Sequence, residues 1–80
     1  MSEVAERCRK VIAGLLKAPL ERVTPQASFI RDLGMESVQS VELIAALEEE
    51  FDVEIDEDRA QNNDTVGKAI AEVERLLQVR

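Results

Sequence analysis

Among the residues able to do chemistry, Ser37 has the most suggestive setting, beside Glu36 and directly ahead of an apolar-periodic run that starts at Val38. A serine nucleophile needs a base within hydrogen-bond reach, yet the 80 residues include no His, and the carboxylate of Glu36 is a weak base. Two other roles suit Ser37: capping a helix, or accepting a modification. Ser is a preferred N-cap residue, and the first-turn N–H groups and positive end of a helix dipole stabilise a phosphodiester placed there. The lone Cys8 can close no intramolecular disulfide, and without His neither a zinc ligand set nor a Cys–His pair can be built. Asp52, Glu54, Asp56 and Asp58 alternate like the start of a calcium-binding helix–loop–helix segment, but Glu57 occupies the position that requires Gly. No catalytic residue and no metal ligand is expected, and the chain does not read as an enzyme.

The elements that must position Ser37 follow from hydrophobic spacing. Val4, Cys8, Val11, Ile12, Leu15 and Leu16 recur at steps of three and four, which predicts a first amphipathic helix ending before Pro19. Cys8 falls in its apolar stripe and reads as a small buried hydrophobe. From Ala18 to Glu36 the pattern lapses, with Pro19, Pro25 and Gly34 as punctuation and Leu20, Val23, Phe29, Ile30 and Leu33 scattered between them. Such a stretch predicts a long crossover pinned to the helices, with a short helical turn near Thr24 to Ala27. Val38, Val41, Ile44, Ala45, Leu47 and Phe51 predict a second helix, with Ser37 as its N-cap and Leu43 partly exposed on its surface. Asp52 to Ile55 alternates like a strand but has no partner strand, and is expected to be a loop. Asp56 to Gln61 predicts a short third helix, the Asn62-to-Thr65 cluster ends it, and Val66, Ala69, Ile70, Val73, Leu76 and Leu77 predict the last one.

The expected fold class is therefore all-α, a small antiparallel four-helix bundle with three long helices, one short third helix and a long loop between the first two. Residues 1–80 are expected to form a single domain. The short third helix has little apolar surface and is the expected movable element.

Charge divides the chain unevenly. Between Asp32 and Asp58 there are eleven acids and no Lys or Arg, so that segment carries −11, the rest carries +4, and the net is −7. Such polarity disfavours nucleic acid and anionic membranes and steers toward basic protein patches. A solvated face that prevents aggregation is the plainer reading of the same acids. Unbroken apolar stretches no longer than Leu43 to Leu47 fall far short of a membrane span, and a cytoplasmic location is expected.

The run from Phe29 to Phe51, FIRDLGMESVQSVELIAALEEEF, resembles the acyl carrier proteins of type II fatty acid synthesis, and the likeness extends without gaps from about Val4 to Leu77. In that family a Ser following Asp-Leu-Gly carries 4'-phosphopantetheine delivered from coenzyme A, and Ser37 matches it. The resemblance implies a carrier of acyl thioesters in fatty acid biosynthesis or a related specialised pathway. Its partners would be a phosphopantetheinyl transferase and acyl-processing enzymes with basic patches. It further implies a docking face at Glu36, Val38, Val41, Glu42, Glu48, Glu49 and Glu57, and an acyl pocket walled by Phe29, Ile30, Leu47, Ile55, Ala60, Asn63 and Ala69. The protein is expected to be a monomer.

Several positions depart from the family pattern. Glu36 and Val38 replace the common Asp and Leu flanking the Ser, Gln39 stands where another acid is frequent, Asp56 replaces a frequent Pro, and Asn63 replaces an apolar pocket residue. A polar Asn in a pocket wall disfavours a plain saturated chain unless its amide finds a partner. The rival readings are a carrier for polyketide or lipid A synthesis, and an acidic interaction module with no prosthetic group.

Overall fold

The computed structural model describes residues 2–78, and within them four α-helices and one short 3₁₀ turn account for the regular structure. Helix α1 spans Glu3–Leu16, α2 Ser37–Phe51, α3 Glu57–Ala60 and α4 Val66–Gln78, with the 3₁₀ turn at Leu20–Arg22. The three long helices pack on one another, and α3 meets the core through the half-buried Ala60.

Helix α1 starts where the Ser2 hydroxyl accepts the Ala5 N–H at 3.1 Å and stops at Lys17, which turns left-handed at φ 55° ahead of Pro19. Its buried stripe is Ala5, Cys8 and Ile12. Burying a side chain the size of Ile12 contributes about 1.5–3 kcal/mol, and Cys8 and Ile12 are fully buried together with Val66 and Val73 of α4, which packs on α1.

The crossover from Ala18 to Glu36 is ordered by specific ties. Arg9 on α1 donates to the carbonyls of Val23 at 2.7 Å and Leu20 at 2.9 Å. At the other side Phe29 N–H donates to the Asp64 carbonyl at 3.1 Å and Val66 N–H to that of Ala27 at 3.0 Å. Val23, Ala27 and Phe29 are buried as anchors. The chain passes so close to α4 that Gly67 N–H donates to the Pro25 carbonyl at 2.9 Å, and a Cβ at position 67 would lie 2.9 Å from the same oxygen. The helical turn expected near Thr24 to Ala27 falls instead at Leu20–Arg22. Thr24 to Ala27 forms a single β-turn, with Ala27 N–H donating to the Thr24 carbonyl at 3.0 Å.

Leu43, expected to be partly exposed, is buried at 5% exposure, while Val38 and Val41 stand out at 66% and 59%. The core stripe of α2 is Leu43, Leu47 and Phe51 at steps of four, so the helix is rotated from the face that Val38, Val41 and Ala45 suggested. Asp52 to Ile55 is a loop, as expected, and α3 buries none of its own residues.

Candidate functional site

Ser37 is the first residue of α2 and not its cap. Glu36 is the N-cap residue, with extended backbone (φ −92°, ψ 160°), and the Gln39 side chain reaches back to accept the Glu36 N–H at 2.9 Å. The hydroxyl of Ser37 is thereby released from capping. It is exposed, and it makes no hydrogen bond with any described residue. Gly34, at φ +67°, makes the left-handed turn that brings Met35 and Glu36 round to the start of the helix.

Beside Ser37 lies an outer cleft of about 590 Å³, bordered by Ile30, Met35, Glu36, Ser37, Gln61 and Asp64 among others. An inner cavity of about 60 Å³ runs from it between α2, α3 and α4, its walls including Leu43, Ile44, Leu47, Ile55 and Ala69. Of the wall residues implied by the resemblance, Phe29, Leu47, Ile55, Ala60, Asn63 and Ala69 line this inner cavity. Ile30 does not. It is 70% exposed and borders the outer cleft alone, because Phe29 takes the inward position at this turn.

Met35, Ser40, Leu43, Ile44 and Glu72 are wall residues that sequence reasoning missed, and Glu72 is the charged one among them. It is buried and lines the inner cavity, and its carboxylate accepts from Arg75 at 2.7 Å and pairs with Arg59 of α3 at 3.7 Å. The Arg75 hydrogen bond holds this carboxyl below the usual carboxylate range, against the opposing effect of its burial. A Glu beside Val73 reads as outward-facing in sequence, and only the convergence of Arg59 and Arg75 shows what permits it inside.

The acids of α2 divide by what they touch. Glu42 and Glu49 are exposed and make no ion pair with any described residue, and Glu36 and Glu57 are likewise open to solvent. Glu48, expected on the same docking face, is half-buried, and its carboxylate accepts the Ile55 N–H at 2.7 Å. It fastens the loop after α2. Glu50 is engaged by Arg7, which pairs with its carboxylate at 2.9 Å and stacks 4.6 Å over the Phe51 ring. Among the described residues no cluster suited to a metal ion is found.

A family model for the phosphopantetheine attachment site matches residues 6–73. The acyl carrier protein of Phenylobacterium zucineum is 49% identical over 77 residues, covering 96% of this chain and 98% of that protein. That of Caulobacter vibrioides is 51% identical over 70 residues, covering 88% and 90%. The chain belongs to the acyl carrier proteins. A solved structure from Mycobacterium tuberculosis, described as an acyl carrier protein, superposes with a TM-score of 0.84 at 32% identity, covering 90% of this chain and 96% of that one. The all-α bundle is thus the family's fold, and the protein is a carrier and not an enzyme. Its cofactor is a covalently attached 4'-phosphopantetheine, and the family works with phosphopantetheinyl transferases and acyl-processing enzymes. The surroundings of Ser37 fit such a group: an unbonded exposed hydroxyl, a helix N-terminus, and a cleft that continues into an apolar interior. No described helix is long and apolar enough to cross a membrane.

Proposed function

We propose that Ser37 is the attachment residue and that residues 1–80 act as one acyl carrier domain, a cytoplasmic monomer serving fatty acid biosynthesis or a related specialised acyl pathway. The observation that carries this reading is the free Ser37 hydroxyl at the rim of the outer cleft. In loading, the Ser37 Oγ bonds to the phosphorus nearest the pantetheine of coenzyme A. The pyrophosphate bond breaks, adenosine 3',5'-bisphosphate leaves, and the hydroxyl proton passes to a base of the transferase. The bound group supplies a terminal thiol that holds acyl chains as thioesters. The chain itself supplies the anchor, the cleft and the docking surface.

Partners are met on the open face of α2. Val38 and Val41 give apolar contacts next to Ser37, and Glu36, Glu42 and Glu49, with Glu57 on α3, supply negative charge for basic patches. Electrostatic docking of this kind associates fast and releases readily, as a shuttle requires. The same charge disfavours nucleic acid and membrane as partners. Phe29, Leu47, Ile55, Ala60, Asn63 and Ala69 enclose the acyl chain, and Ile30 guides it at the entrance.

The test is incubation with coenzyme A and a phosphopantetheinyl transferase, followed by intact mass. The native chain should gain the mass of one arm and Ser37→Ala should gain none. A native chain that stays unmodified with several transferases contradicts the proposal and favours an interaction module.

A further inference from the structure

Phe29, Met35, Ser40, Ala60 and Asn63 each line both the outer cleft and the inner cavity, and so form the neck between them. Three of the five are apolar. Ser40 and Asn63 are not, and their hydrogen bonding is unequal. The Ser40 hydroxyl donates its one proton to the Ser37 carbonyl at 2.6 Å, which leaves it an acceptor toward the neck. The Asn63 backbone N–H is spent on the Ala60 carbonyl at 2.9 Å, while its side-chain amide makes no hydrogen bond with any described residue. The neck therefore offers unused amide donors together with a hydroxyl acceptor.

A methylene chain threading this neck strips water from the amide and returns nothing, whereas a chain with an oxygen at that depth restores the lost bond. The space beyond gives a long alkyl tail little compensation. At about 60 Å³ the inner cavity is small beside ordinary ligand pockets of ~300–1,000 Å³, and Glu72 puts a buried, ion-paired carboxylate into its wall.

We propose that Asn63 and Ser40 make this neck a selector for acyl chains bearing a hydroxyl or keto oxygen, in preference to saturated chains of the same length. The inference rests on Ser37 being the attachment residue.

Arms carrying hexanoyl, 3-hydroxyhexanoyl or 5-hydroxyhexanoyl thioesters are loaded on the whole protein, and loading is checked by intact mass. Cleavage by hydroxylamine is then timed, each rate divided by that of the same acyl-pantetheine free in solution. At least one hydroxylated chain should be protected about tenfold better than hexanoyl, the equivalent of about 1.4 kcal/mol. Asn63→Leu should bring that ratio to one or below, and Ser40→Ala should lower it roughly threefold, as loss of one modest hydrogen bond does. Equal or better protection of hexanoyl in the native protein overturns the inference, as does a ratio unchanged in Asn63→Leu. Both results come from a loaded protein and leave the attachment site standing. A chain that takes no arm, seen at the mass check, overturns the attachment reading and this inference with it.

Discussion

Replacing Gly67 by Ala sets two physical effects against each other, and the structure decides which is larger. Helix propensity alone favours the change, though by less than the roughly 0.5–1 kcal/mol of a helix interior, because Gly67 is the second residue of α4. In this fold the new Cβ meets the Pro25 carbonyl oxygen at 2.9 Å and the Pro25 Cβ at 3.4 Å. The first of these is backbone that cannot rotate aside, and the Gly67 N–H is bonded to that same oxygen. Relieving an overpacked contact of this kind costs about 1–3 kcal/mol, so the net is a destabilisation of about 1 kcal/mol. For a domain of this size that corresponds to a fall in Tm of roughly 4–8 °C. Gly14 provides the internal control, since a Cβ there has nothing within 4 Å. Gly14→Ala should raise stability by about 0.5–1 kcal/mol in the same urea titration. If Gly67→Ala proved as stabilising as Gly14→Ala, the close seating of the crossover on α4, and with it the wall of the cleft beside Ser37, would be wrong.

The remaining predictions concern charge and protonation. Glu42→Lys should slow transfer of the arm by roughly tenfold at low salt, and the defect should shrink toward 1 M salt; Glu48→Ala should instead lower stability by about 1 kcal/mol by removing the acceptor of the Ile55 N–H, with little effect on that rate. Since the folded state holds the Glu72 carboxyl below its ordinary value of 4.5, its contribution is complete above that pH and is lost as pH falls through the folded value. Acid titration of the urea midpoint should therefore show a decline below about pH 4.5 that is shallower in Glu72→Gln. Burial pushes the Cys8 thiol up from 9.0 to about 12, so the fold keeps a proton that the unfolded chain releases, and stability should decline from pH 9 upward. Cys8→Ala should reduce that alkaline decline, and a native thiol that reacts with an alkylating reagent as fast as the unfolded chain would contradict its burial.

The helices were legible because α1 and α4 carry one clear apolar stripe each. Helix α2 was harder to orient: Val38, Val41, Leu43, Ile44 and Leu47 put apolar residues on several of its faces, and only packing against the other helices selects Leu43 and Leu47 and turns Val38 and Val41 outward. Sequence favours Ser37 as the cap because Ser is the better capping residue in isolation, whereas here Glu36 is the cap and Gln39 closes on its backbone. Six residues of the inner cavity wall could be placed from the resemblance, whereas Met35, Ser40, Leu43 and Ile44 join it only through the packing of the crossover and the rotation of α2. Ile30, Glu48 and Glu72 could not be placed, since their directions are set by a turn, a loop amide and two arginines that meet only in the folded chain.

Attachment of the arm to one particular hydroxyl at the start of α2 is tested most directly by digestion of the loaded protein and fragmentation of the peptide containing both Ser37 and Ser40. The mass of the arm should localise to Ser37; its appearance on Ser40, whose hydroxyl is bonded to the Ser37 carbonyl, or on any other residue, would contradict the account.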